Sequence, residues 1–292
     1  MSLDLDDRQR AMLQEMQVHV WWPRTAEAMV QALAPEPVTA SPAPVRQGNA
    51  PQRGAPMAVQ GAAATPPATI AANPPAPGSG ARSKDQGIAS MDWQALQQAV
   101  ATCRACPLCE ARKNTVFGMG APAVEPRAAP QVDWLVVGEA PDDDEDRSGK
   151  PFAGQAGQLL DNMFKAMGVN RQQNVFLLSV VKCRPPGNRN PEAQEIAQCE
   201  PFLRRQIELL QPKIILALGR HAAVALLQDS VPDVRQQPPG KLRGRLHHYS
   251  SNGRKVPVVA SFSPTHLLRN QTEKAKAWAD LCFAMDVLRR SG

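Results

Sequence analysis

Residues 134–138 read WLVVG, four apolar side chains closed by a glycine. A run that short with no polar alternation fits a strand buried on both faces, as parallel strands are. The same kind of segment recurs downstream. Asn174–Val181 (NVFLLSVV), Pro212–Gly219 (PKIILALG) and Val256–Ser261 (VPVVAS) predict three further strands. Between them lie helix candidates at Gln158–Met167, Ala193–Leu210 and His221–Leu227, and a last helix is expected from about Pro264 to Leu288. Strands alternating with helices predict a three-layer α/β/α sandwich around a mostly parallel sheet. A ligand then belongs at the carboxyl ends of the strands. Chemically suggestive residues follow those ends: Glu139 after the first strand, Lys182 to Arg184 after the second, Ser263 after the fourth.

Outward from this block the composition changes. Residues 34–87 are rich in Pro, Ala and Gly, which predicts a flexible linker. Residues 1–33 carry the amphipathic piece RQRAMLQEMQVHVWW, with Met12, Leu13 and Met16 at helical spacing and Trp21 beside Trp22. Leu13, Trp21 and Trp22 read as anchors for a partner, or as one more helix packed on the core. Residues 88–292 are expected to form the folded domain.

The 292 residues are 43% hydrophobic but only 4% aromatic, so aliphatic side chains must build the core. A net charge of +6 favours a polyanionic partner such as nucleic acid. The start of the chain has no apolar signal region and no run is long enough to span a bilayer, so a cytoplasmic protein without a membrane partner is expected. Cysteines in such a compartment point to metal ligands or free thiols. Cys103 and Cys106 form a CxxC, and Cys183 and Cys199 lie far downstream. Four thiolates hold either an iron–sulfur cluster or a zinc ion, and the wide second spacing disfavours zinc. Cys109 is a spectator or a substitute ligand, and Cys282 reads as core.

Four motifs in order, CRACPLCEARKNTVFG, GEAPDDDEDRSGKPFAGQAGQLLD, KCRPPGNRNP and SPTHLLRN, closely resemble the family 4 uracil-DNA glycosylases. The resemblance implies a [4Fe–4S] cluster on Cys103, Cys106, Cys183 and Cys199. It implies base flipping from uracil-containing or single-stranded DNA and excision of uracil in DNA repair. By position, Glu139 matches the motif carboxylate and Phe152 the ring on which the base stacks. Lys182, Arg184, Arg189 and Arg269 would approach phosphates, although a solvated face explains basic residues equally.

The chain departs from the pattern at three places. Asp142 replaces a glycine, which places a side chain and a charge where a tight backbone turn is expected. Ser179 replaces an asparagine and cannot offer the amide's paired donor and acceptor to uracil. Ser263 replaces a histidine and is a poorer stabiliser of the departing base, with His266 one helical turn further on. These substitutions predict weak or lost excision. The segment RQRAMLQEMQVHVWWPR resembles the tail of the psi subunit of bacterial DNA polymerase III. This implies, as an alternative, a non-catalytic replication subunit that contacts the clamp-loader collar and the chi subunit.

Overall fold

The computed structural model describes residues 87–121, 129–130 and 132–291. The readings of residues 1–33 and of the linker up to residue 86, including Leu13, Trp21 and Trp22, lie outside them. In chain order the elements are α1 (Trp93–Ala101), α2 (Leu108–Ala111), β1 (Met119–Gly120), β2 (Trp134–Gly138), α3 (Asp143–Ser148), α4 (Gly154–Met167) and β3 (Val175–Ser179). They continue with α5 (Ala193–Leu210), β4 (Ile214–Leu218), α6 (Arg220–Leu227), α7 (Pro239–Leu242), β5 (Leu246–Ser251), β6 (Arg254–Ser261), α8 (Pro264–Arg269) and α9 (Lys274–Ser291).

The six strands lie in the order β1-β3-β2-β4-β6-β5. The four inner strands are parallel, and the two edge strands run antiparallel to their neighbours. Every residue of β2, β3 and β4 is buried, which explains their unbroken apolar sequences. Alternate side chains feed two cores. Leu135, Val137, Phe176, Ile215 and Val258 pack with α1, α5 and α6, while Trp134, Val136, Leu177, Leu216 and Val259 pack with α4, α8 and α9. Helices therefore cover both faces of the sheet, giving the expected three layers. Each fully buried aliphatic side chain contributes roughly 1.5–3 kcal/mol.

Three features differ from the sequence reading. The sequence reading assigns no element to the stretch around LHHY. It is the edge strand β5, joined to β6 through Asn252 and Gly253, both at positive φ, as a two-residue hairpin requires. The expected terminal helix is broken at Asn270, whose φ of −124° and ψ of 78° leave the helical region, so α8 ends at Arg269. A short helix, α3, follows β2 where a tight turn was expected. Asp142 is its N-cap, with an extended φ of −95° that any residue adopts, so its Cβ creates no crowding.

Candidate active site and cysteine cavity

Three strands end side by side at their carboxyl edge, and each hands the chain to a short functional segment. Beyond β2 stands Glu139, beyond β4 the Gly219–Arg220–His221 turn into α6, and beyond β6 the Phe262–Ser263 entry to α8. A cavity of about 640 Å³ opens there. Its size falls in the usual range for small-molecule sites, about 300–1,000 Å³. Glu139, Asp142, Phe152, Ser179, Arg189, Ser263, His266 and Arg269, all singled out from the sequence, line it. So do Glu145, His221 and Arg243, which sequence reasoning missed.

Glu139 is tied to the start of α6. Its Oε1 accepts the backbone N–H of His221 at 3.1 Å and lies 2.8 Å from His221 Nδ1. Gly219, at φ +100°, makes this approach possible, because a Cβ there would collide with the Glu139 carboxylate. Burial alone would raise this carboxyl. The imidazole and the amides of His221 and Arg220 outweigh it and hold Glu139 below the ordinary glutamate range.

Phe152 occupies the left-handed region at φ +52°, an unfavourable conformation for an aromatic residue, and its ring lies against Gly138. The adjacent Glu145 secures it. Glu145 accepts the backbone N–H of Asp142 at 2.8 Å and that of Phe152, while the Asp142 side chain accepts the N–H of Glu145 at 3.0 Å. This is a capping box, and its Asp-x-x-Glu spacing was legible in the motif. Burial pushes Glu145 up to about 7, against the pull of the two amides.

At the other wall, Ser263 caps α8 by accepting the His266 N–H at 3.3 Å. The His266 ring stacks on Phe262 with centroids 4.9 Å apart, and the Arg243 guanidinium lies 4.2 Å from the Phe262 centroid. Arg243 is held by buried Asp280 at 2.7 Å, which also accepts the Ser261 hydroxyl at 2.7 Å.

The basic residues divide. Lys182 does not face solvent: it is 2% exposed and its Nζ donates to the Ser179 carbonyl at 2.8 Å, so its expected phosphate contact is corrected. Arg184 pairs with Asp143 at 2.6 Å and does not line the cavity. Arg189 lines it while paired with Glu195 at 2.6 Å. Arg269 is exposed on α8.

Behind β3, Cys103, Cys106, Cys109, Cys183 and Cys199 ring a second, small cavity together with Arg112 and Lys182. Arg112 donates to the Cys183 sulfur at 3.0 Å, and the Lys182 amide to that of Cys199 at 3.4 Å. Burial raises the thiol of Cys183 and pushes that of Cys199 up to about 12. Among the described residues neither Arg112 nor Lys182 has a carboxylate partner. The buried Lys182 and the half-buried Arg112 therefore stand beside thiols whose burial disfavours the anion, and lack the negative charge that metal-bound thiolates would supply. Among the described residues no three His, Cys, Asp or Glu side chains converge on a single ion position. Cys282 packs at the margin of the core, as expected. Among the described residues no helix is long and apolar enough to cross a membrane.

Comparison with known proteins identifies residues 126–282 with the Uracil DNA glycosylase superfamily. The chain is 37% identical over 193 residues to the type-4 uracil-DNA glycosylase of Pyrobaculum aerophilum, covering 66% of this chain and 93% of that protein. It is 39% identical to the type-4 enzyme of Saccharolobus solfataricus over 59% of this chain and 74% of that protein. With the Thermotoga maritima type-4 enzyme the identity is 36%, over 62% and 85% of the two chains.

Proposed function

Because the chain belongs to the uracil-DNA glycosylase superfamily, with type-4 enzymes among its relatives, we propose that it excises uracil from DNA through the cavity at the carboxyl ends of β2, β4 and β6. One observation carries this reading: an aromatic ring held in a strained loop and an ionised carboxylate line a single cavity of suitable size. The Phe152 ring offers a flat face on which a flipped base stacks. Ser179 and Ser263 supply hydroxyls to the base. Arg189 and Arg269 approach the strand from the rim, where a cation gains most from phosphate. Cleavage breaks the C1′–N1 bond, its electron pair leaves with uracil, and water adds to C1′.

Turnover is low compared with the type-4 relatives, because Ser179 and Ser263 replace an amide and an imidazole. Asp142 caps α3 rather than crowding a turn, so only its charge still counts against activity. Cys103, Cys106, Cys183 and Cys199 hold a [4Fe–4S] cluster. Supporting this are the shared cavity, the buried Lys182 and the half-buried Arg112, two cations that would balance the anionic thiolates. Bound there, a cluster would tie the segment between α1 and α2, the segment after β3, and α5 to one another.

The test is an excision assay on uracil-containing single- and double-stranded oligonucleotides, with iron and acid-labile sulfide measured on the same anaerobic preparation. Release of uracil by the wild type, dependent on Phe152, supports the reading. A chain that binds stoichiometric zinc and no iron overturns the cluster, and one that releases no uracil overturns the hydrolase.

A further inference from the structure

We propose that His221 is a catalytic residue, the base that takes the proton of the hydrolytic water, and that Glu139 is its positioning partner. The inference rests on the glycosylase reading and assigns a role within that site.

The geometry begins with the glutamate. Its Oε1 is shared between the backbone N–H of His221 and the ring Nδ1, and the carboxylate is seated at the N-terminus of α6 against Gly219. A carboxylate so engaged, and held below the ordinary glutamate range, is a weak proton acceptor. It is instead a strong orienter. An ionised oxygen 2.8 Å from Nδ1 requires the hydrogen to sit on Nδ1, which leaves the lone pair on Nε2. The side chain of His221 is 22% exposed and lines the cavity that also contains Phe152. This is the arrangement of an acceptor oriented by a carboxylate, reached here from two adjacent parallel strands, β2 and β4.

The step balances. As the C1′–N1 bond breaks and its electrons leave on uracil, the water oxygen bonds to C1′. One water proton passes to His221 Nε2, and the imidazolium so formed is stabilised by Glu139. That proton then leaves to solvent or to the uracil anion. A simpler account gives His221 only a structural role, a second contact that fixes the start of α6. The two accounts differ in what an asparagine does at this position. An amide donates to Glu139 as Nδ1–H does, preserving the contact, but offers no basic nitrogen.

The other groups of the cavity that titrate are Asp142, Glu145 and His266, while Arg189, Arg220, Arg243 and Arg269 stay charged throughout. The pH profile therefore needs the variants beside it. Single-turnover excision of uracil from a single-stranded oligonucleotide is measured from pH 5 to 9 for the full-length wild type, H221N, H221A and H266A. Affinity is measured in parallel for the same oligonucleotide carrying non-cleavable 2′-fluoro-2′-deoxyuridine. The expected result is a loss of about 100-fold or more in H221N and H221A, the scale of general-base catalysis. Binding of the fluorinated oligonucleotide should be retained in H221N. The acid limb of the wild-type profile should vanish in H221N and persist in H266A. Far-UV circular dichroism verifies that H221N folds. A wild type that excises uracil beside an H221N and H221A with the same rate and profile overturns this inference alone. A wild type inert at every pH overturns the hydrolase reading and this inference with it.

Discussion

Replacing Glu145 with Gln separates two effects that its burial combines. In the folded chain this carboxyl is pushed up to about 7, against an ordinary value of 4.5. Between those values the folded state holds a proton that the unfolded chain has released. Stability from this group is therefore fully present at low pH and is lost as pH rises through that window. The difference of about 2.5 converts, at 1.36 kcal/mol each, to roughly 3 kcal/mol between pH 4.5 and pH 8. A glutamine is neutral throughout and escapes this loss. It suffers another, because both carboxyl oxygens accept an amide N–H, from Asp142 and from Phe152, and a glutamine nitrogen accepts neither. One buried donor then faces a donor, at a cost of about 1–3 kcal/mol. E145Q should thus be less stable than the wild type at pH 5 and should close or reverse the gap by pH 8. For a folded region of this size, 3 kcal/mol corresponds to roughly 6–12 °C. Thermal melts at half-unit pH steps read it directly. Wild-type and E145Q melting curves that shift in parallel from pH 5 to pH 8 would refute the buried, protonated carboxyl.

Other perturbations test the remaining contacts. Gly219→Ala forces a Cβ into the Glu139 carboxylate at a φ of +100° and should lose roughly 1–3 kcal/mol of stability together with most of the activity, seen in melts and excision assays. Cys183→Ser should cost folding before chemistry, with iron content and melting temperature falling together. Ser263→His should raise excision by about 10²–10³ if the missing donor limits turnover, while loss of the α8 cap lowers stability by about 1 kcal/mol.

The parallel sheet was legible because its strands are buried on both faces. WLVVG and IILAL need no partner context to announce themselves, and the residues at their carboxyl ends converge as the fold class requires. Strand β5 was not legible by the same rule, since LHHYSS is polar and half exposed, and its pairing with β6 decides its state. The Asn252-Gly253 turn was the available signal. In the site, Glu139 and Ser263 were singled out by their places after strands as well as by resemblance, and Phe152 by resemblance alone. His221 was missed, although it follows β4 as the others follow their strands, because nothing in GRHAAVALL marks a histidine whose partner stands 82 residues earlier. Lys182 was misread because a lysine in a proline-rich basic motif resembles a surface residue. Only the packing of the cysteine cavity shows its ammonium turned inward onto Ser179.

Two glutamates six positions apart in one motif show why the spacing alone could not assign roles. Glu139 meets a helix N-terminus and an imidazole, and both favour its charge, so it stays ionised despite burial. Glu145 meets two amides but lies deeper and beside Asp142 and Asp144, so burial prevails and it holds its proton to about 7. The environments push the pair apart, which is how one site acquires a charged member and a neutral one. The neutral member braces Phe152 in its left-handed conformation, giving the base a fixed ring on which to stack. The charged member fixes the tautomer of His221. Exchanging the two environments, not the two residues, would be needed to exchange the roles. A variant that frees the Glu139 carboxylate from α6 should therefore alter His221 without loosening the Phe152 loop.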